Sequence, residues 1–379
     1  MTRRFVKAVT LEGPRQLRLR HYPWPAVGEG AAVVRIEFAG ICGTDKHSYQ
    51  GRMVQYGGRR LPLPIIPGHE NVGIIEELGG EVLDHDGQRL SVGDRVVVAP
   101  NLPCGRCYSC RNNHPYYFCT AKRDYGNNLS AAQPPHLFGG WSERLYALPG
   151  SRIFRYPDGL PPELGALIEP MAVTACLDKA KSWSSEWEPF RLGDMVAVLG
   201  AGPIGLCHVA KARLLGAGAV LATDLSGFRL RIARLFGATE VADGRDAEGV
   251  AERVRRLTGG RGADVVVDCT GVPAGFRQAL DLIREGGMVL EVGSFVDGGE
   301  IGVNPHRHIL AKSARVIGVG GDDLSAYATS IRMIEASRRL IPWEAAITHR
   351  FALEDAEQAM ATACGPDSMK VVFQSSAST

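Results

Sequence analysis

MVAVLGAGPIGLCHVAKARLLGAGAVLATD, residues 195–224, carries an apolar run, a glycine-rich turn, a helical stretch and a second apolar run in immediate succession. The first run, Met195 to Leu199, has no polar residue, so it predicts a strand buried on both faces, as in a parallel sheet covered by helices. Gly200-Ala201-Gly202-Pro203-Ile204-Gly205 follows it and opens the helical stretch. Asp224 closes the second run, nineteen residues after Gly205. A lone G-x-G-x-x-G is a weak signal, but strand, turn, helix and acidic residue in this order fit a dinucleotide site. The glycines let the backbone approach a pyrophosphate, and the helix N-terminus favours its charge. A packing turn that binds nothing is the competing reading. Asp224 would accept hydrogen bonds from the adenosine ribose and repel a 2'-phosphate, which favours NAD over NADP. Arg229 and Arg231, close behind, weigh the other way.

Outward from this stretch the alternation continues. A helix is expected through RLRIARLFGA (229–238), a strand at ADVVVDCT (263–270), a helix near FRQALDLIRE (276–285), and strands at GMVLEVG (287–293) and RVIGVGG (315–321). Such alternation predicts a doubly wound α/β domain with a parallel sheet. Upstream, to about Leu160, the pattern is different: short β-branched runs (AAVVRIEFAG, NVGIIEEL, GDRVVVAP) between Gly, Pro and charged turns, which read as a mostly antiparallel β domain. A helix through YATSIRMIEASRRL and the run MKVVFQ close the chain, and composition leaves open whether they rejoin the first domain.

The 379 residues suffice for two domains, and 45% hydrophobic with 22% charged residues is the balance of a soluble globular protein. A net charge of +2 without basic runs gives no support for nucleic acid or an anionic membrane as partner. The N-terminus, MTRRFVKAVTLEGPRQLRLR, lacks the apolar core of a secretory signal, so a reducing cytoplasm is expected. There, the crowding of Cys104, Cys107, Cys110 and Cys119 in PCGRCYSCRNNHPYYFC predicts a closed structural zinc site rather than disulfides. Cys176, Cys207 and Cys364 stand in apolar or helical contexts and read as structural.

Cys42 in GICGTDKHSYQG and His69-Glu70 in IPGHENVG lie outside that lobe. Each has a plain explanation, a small buried thiol and a satisfied loop histidine. Together with Glu169 in ALIEPMAV they can supply three or four metal ligands and leave a position open.

GICGTDKH and PGHE, combined with the four-cysteine lobe and GAGPIG, resemble the medium-chain, zinc-dependent alcohol and polyol dehydrogenases over nearly the whole chain. The resemblance implies a GroES-like β-rich catalytic domain (1–174 and 322–379) interrupted by a Rossmann domain (175–321). It implies two zinc ions per chain and NAD. Cys42 and His69 would bind the catalytic zinc with an acidic ligand, Glu70 or Glu169, directly or through water. Glu169, where simple alcohol dehydrogenases carry a cysteine, brings the chain nearer to the polyol, glucose and threonine dehydrogenases. The family leaves seven residues between its third and fourth lobe cysteines, whereas Arg111 to Phe118 makes eight, so the local loop should differ.

By the same resemblance, Thr44 and His47 would relay the substrate proton, and Asp45 would orient His69. Read alone, Thr44 and Asp45 are helix caps and His47 a surface residue. Arg229 would contact the ribose, Cys269, Thr270, Val292 and Ser294 would line the nicotinamide half, and Lys370 would lie near the pyrophosphate. Zinc as a Lewis acid would make a hydroxyl acidic, and the nicotinamide would take up hydride. Glu169, with Asn71 and His136, points to a hydrophilic secondary alcohol: a polyol, cyclitol, sugar or hydroxy amino acid. Simple alcohols are the second reading, and a noncatalytic NAD(H)-binding zinc protein is a reading of another class. A zinc-free quinone reductase is opposed by Cys42, His69 and the lobe. A homo-oligomer, dimer or tetramer, is expected from relatives.

Overall fold

The computed structural model describes residues 4–52, 54–55, 59–183 and 191–375. The chain divides into two compact units. The first comprises Met1–Glu169, Asp323–Glu335 and Ile347–Thr379; the second comprises Pro170–Asp322 and Ala336–Ala346. The sequence boundaries assigned 322–379 to the first domain throughout, but Ala336–Ala346 clusters with the second. Trp343, fully buried, explains this: its ring meets that of Phe236 edge-on at 5.4 Å.

In the first unit a seven-stranded sheet runs in the order Ile153–Arg155, Arg95–Val98, Asn71–Leu78, Ala32–Gly40, Lys370–Gln374, Ile347–Phe351, with Arg144–Ala147 also on Ala32–Gly40. All pairings are antiparallel except that of Ile347–Phe351 with Lys370–Gln374. The closing MKVVFQ therefore does rejoin the first unit, beside its central strand. Val33, Val34, Ile36, Ile75, Val96, Val98, Trp141 and Phe373 share one core. Each such large side chain contributes roughly 1.5–3 kcal/mol by leaving water.

The second unit is a six-stranded parallel sheet in the order Glu240–Asp243, Ala219–Asp224, Met195–Leu199, Ala263–Asp268, Ile283–Glu291, Arg315–Gly318. Met195–Leu199 is buried at every residue, as its apolar run requires. Glu240–Asp243 and the helix Ala247–Leu257 had no counterpart in the sequence reading. Their signal is Asp246, whose carboxylate accepts from Gly249 N at 2.9 Å, followed by Val250 and Val254 one helical turn apart and both buried. The helix expected at 276–285 spans Pro273–Leu282 instead, and Ile283 begins a strand at once. The Lys312 ammonium donates to the carbonyls of Leu280, Asp281 and Ile283 at 2.7, 3.0 and 2.7 Å, ending the helix there.

Candidate functional site

Register alone brings the first cluster together. Ala39 pairs with Asn71 and Gly40 with Val372, so the end of one strand meets the starts of two others. Cys42 follows the first, His69-Glu70 precede the second, and Lys370 opens the third. Cys42, His69 and Glu70 each offer a donor atom, and these atoms all lie within 4.8 Å of one another. His69 and Glu70 are 5% and 1% exposed. Gly40 makes the room: a Cβ there would stand 2.0 Å from a Glu70 carboxylate oxygen.

Asp45 starts the helix Gly43–Tyr49 by accepting from Cys42 N at 2.8 Å, and its other oxygen accepts from Gly68 N at 3.4 Å. One carboxylate thus ties the Cys42 loop to the His69 loop. That oxygen lies 3.9 Å from His69 Nδ1, a charge contact too long for a hydrogen bond. Burial disfavours a charged His69, but Cys42 and then Asp45 and Glu169 outweigh it and raise its pKa well above the ordinary value. The pocket therefore demands positive charge among its sulfur, nitrogen and carboxylate donors, which is the environment of a divalent cation of zinc's softness.

Glu169, on the helix Ile168–Val173, lies outside the tight three-residue set, yet its charge acts on both His69 and Lys370. The turn that leads to it is pressed against the sheet: a Cβ on Gly165 would stand 2.4 Å from Val72 Cβ. Thr44 is 9% exposed, with Oγ1 3.8 Å from Cys42 Sγ. His47 is one turn further along the same helix face and half-buried, and burial, then Arg52 and Lys46, lower its pKa.

Lys370 corrects an expectation. It is 1% exposed, and its ammonium donates to both Glu70 oxygens at 2.6 Å, so it is committed to that buried carboxylate rather than to a pyrophosphate. Only the strand register reveals this, since 300 residues separate the two. Asn71 and His136 are likewise occupied. Asn71 bridges to Val98 N and O at 3.4 and 3.3 Å, while His136 bonds the Ala131 carbonyl at 2.8 Å and stacks on Tyr22.

The cysteine lobe forms a second donor set, Cys104, Cys107, Cys110 and Cys119, again within 4.8 Å. Cys107 Sγ is 3.5 Å and Cys104 Sγ 4.0 Å from Cys110 Sγ, and none of the four is in a disulfide. Backbone N–H groups of Arg106 and Cys107 lower the Cys104 pKa, and those of Cys110 and Thr120 lower Cys107 to about 6. Burial, then the neighbouring Cys107 sulfur, pushes Cys110 up to about 12. Between the third and fourth cysteines the chain passes from the helix Tyr108–Arg111 to the turn Tyr116–Phe118, with Asn113 at a φ of 55°.

In the second unit the glycine turn has the shape of a cradle. A Cβ on Gly205 would lie 1.8 Å from Gly200 O, so helix and strand touch, while one on Gly202 would meet nothing within 4 Å. Gly202 caps the helix Pro203–Leu214, which has no side-chain cap, leaving its first N–H groups for a ligand. The Asp224 carboxylate accepts from Ala201 N at 2.9 Å and Ser226 N at 2.8 Å, fixing it beside that turn. Arg229 stands in the first turn of the next helix, its N–H on the Ser226 hydroxyl at 3.3 Å, and the Arg231 guanidinium lies over Phe228. The loops 269–271 and 292–294 meet at the carboxyl ends of neighbouring strands: a Cβ on Gly293 would be 2.4 Å from Gly271 N.

The alcohol dehydrogenase GroES-like domain family matches residues 28–158, and the zinc-binding dehydrogenase family residues 203–336. A Mycobacterium tuberculosis protein named "probable alcohol dehydrogenase" is 35% identical over 95% of this chain and 95% of its own. Sorbitol dehydrogenase of Bacillus subtilis is 32% identical over 76% of this chain and 75% of its own. The crystal structure of a zinc-binding dehydrogenase from Sinorhizobium meliloti bound to NADP has a TM-score of 0.82 and 28% identity, covering 98% of this chain and 99% of that one. With a GroES-like unit, a Rossmann unit and relatives matched along nearly its whole length, the chain belongs to the medium-chain, zinc-dependent alcohol and polyol dehydrogenases.

Proposed function

We propose that this dehydrogenase interconverts a hydrophilic secondary alcohol and its ketone, using NAD and two zinc ions per chain. The observation that carries the reading is the cluster of Cys42, His69 and Glu70, with Glu169 acting on it, in a unit whose chain neighbours are a proton-bearing threonine and histidine. Zinc bound there would supply Lewis acidity to a substrate hydroxyl, and the nicotinamide would supply the hydride acceptor. Asp45 holds the Cys42 and His69 loops in register. Thr44 takes up the hydroxyl proton as it gives its own toward His47, and His47, whose pKa is lowered by burial and then by Arg52 and Lys46, does not retain the proton but passes it outward. The four-cysteine lobe closes its own loop around the second zinc and takes no part in chemistry. We infer further a homo-oligomer in the cytoplasm with no nucleic-acid or membrane partner, on a net charge of +2 without basic runs; among the described residues no helix is long and apolar enough to cross a membrane.

Metal analysis is expected to return two zinc per chain; one would remove one of the two assignments, and none would remove both. The test of function is dinucleotide reduction against polyols, cyclitols, aldoses, threonine and simple alcohols, with and without a chelator. Turnover confined to polyhydroxy or hydroxy amino acid substrates and lost on chelation is the expected result; equal turnover of simple alcohols refutes the substrate class.

The NAD preference rests on Asp224, and the NADP-bound relative makes it the point to test. Asp224→Ala removes the charge that opposes a 2'-phosphate and should shift the ratio of kcat/KM for NAD over NADP toward NADP by roughly tenfold or more, about 1.4 kcal/mol. An unchanged ratio sinks the ribose assignment.

A further inference from the structure

Asp268 and Glu291 close adjacent strands of the second unit and face each other in register. Asp268 is 0% exposed. One oxygen of each has donors: Asp268 Oδ1 takes Thr270 N and Oγ1 at 2.9 and 2.7 Å, and Glu291 Oε1 takes Ser294 N at 2.8 Å. The other two oxygens, Asp268 Oδ2 and Glu291 Oε2, are buried, and among the described residues no donor reaches them. Two ionised carboxylates cannot bond to each other, and burying these two remaining oxygens without a donor is costly. One proton between them turns the repulsion into a hydrogen bond.

We propose that Asp268 and Glu291 share one proton and, through its gain and loss, discriminate oxidised from reduced nicotinamide. The inference rests on reading this unit as the dinucleotide site. Open α/β sheets bind ligands at the carboxyl ends of their strands, where both residues stand, and the strand of Asp268 lies beside the one that leads into the glycine turn. The loops that the pair anchors, 269–271 and 292–294, are those expected to line the nicotinamide, and Val292 N and Gly293 N both donate to Asp268 O. The oxidised ring is cationic and the reduced ring neutral, so a doubly ionised pair favours the first and a protonated pair the second.

The surroundings leave this pair as the titrating element. Burial, then the Glu291 charge, raises the Asp268 pKa to about 7. The facing thiols stay protonated: burial pushes Cys176 up to about 12 and Cys269 well above its ordinary value, and Cys207 lies beside them. His208, on the packed helix Pro203–Leu214, is lowered to about 4 by burial and stays neutral. Lys211 on that helix is paired with Asp178 at 2.6 Å, and Arg277 on the helix Pro273–Leu282 with Asp281 at 3.1 Å. The sign follows: below about pH 7 the pair holds its proton and favours the reduced cofactor; above it, the proton is lost and the oxidised cofactor gains.

The dissociation constants of NAD and NADH, and of NADP and NADPH, are measured by calorimetry at pH 6 and 8, on the holoenzyme and again with chelator so that protons linked to the metal half drop out. The Kd ratio of reduced to oxidised cofactor is expected to rise about tenfold between the two pH values, with or without chelator. In Glu291→Gln, whose amide still accepts from Ser294 N and can donate to Asp268, the change should shrink to less than about twofold. Asp268→Asn is the second variant should the first not fold. Infrared difference spectra of the wild-type protein without cofactor should show a protonated carboxyl signal that disappears as pH rises through about 7. A flat Kd ratio in wild type, or an unaltered one in a folded variant, overturns the proposal even if dinucleotide binds tightly. No binding of any of the four dinucleotides overturns the cofactor reading and this inference with it.

Discussion

Cys42→Ala is expected to lower kcat/KM by about a thousandfold or more, about 4 kcal/mol of transition-state stabilisation, while dinucleotide binding stays near wild type. The thiolate is the softest donor in its cluster, and His69 with one carboxylate makes a poor zinc site without it. The substitution keeps the bond from the Cys42 backbone N–H to the Asp45 carboxylate and loses only the sulfur's half of that capping box, a weak acceptor, so the local fold should persist. The glycine turn and Asp224 belong to the other unit, with its own core. The measurement is steady-state kinetics beside NADH titration and metal content. Turnover within tenfold of wild type would falsify the catalytic-metal assignment. Loss of both turnover and cofactor binding would point to misfolding, which circular dichroism and the structural zinc content resolve.

Much of this site was legible in the sequence, for identifiable reasons. The four lobe cysteines lie so near in sequence that any compact loop gathers them, and Gly200–Gly205 sits at a turn whose two flanking elements announce themselves by period. Cys42 and His69 were legible only as a motif pair, because their meeting depends on the pairing of Ala39 with Asn71. The ion pair of Glu70 with Lys370 was not legible at all. Its partners meet because MKVVFQ inserts beside the central strand, and nothing in a six-residue apolar run says which strand it joins. Asn71 and His136, read as marks of a polar substrate, turn out to bond backbone, because a polar side chain near a motif is as readily used for that as for substrate. The carboxyl pair Asp268 and Glu291 also escaped notice, since each acid alone is an ordinary strand end and only the parallel register sets them face to face.

The second large effect belongs to Lys370. Lys370→Met leaves the Glu70 carboxylate buried without its cation, and breaking such a pair costs about 3–5 kcal/mol, far more than the pair contributes against an apolar replacement of both partners. Burial alone would lower the Lys370 pKa, but Glu70, then Cys42 and Glu169, raise it, so the ammonium is charged throughout the physiological range and the loss is that of a full charge. The double variant Glu70→Gln with Lys370→Met should recover most of the stability, and the double-mutant cycle then gives the coupling directly. Zinc enters this cycle in a diagnostic way. Glu70 lies within 4.8 Å of the Cys42 and His69 donors, so once released from Lys370 it can turn its charge to a cation bound there. Unfolding midpoints measured with and without zinc should therefore show the single Lys370 variant stabilised by the metal more than wild type is. Equal stabilisation would mean that Glu70 serves only its lysine, and would leave Glu169 as the acidic partner of Cys42 and His69.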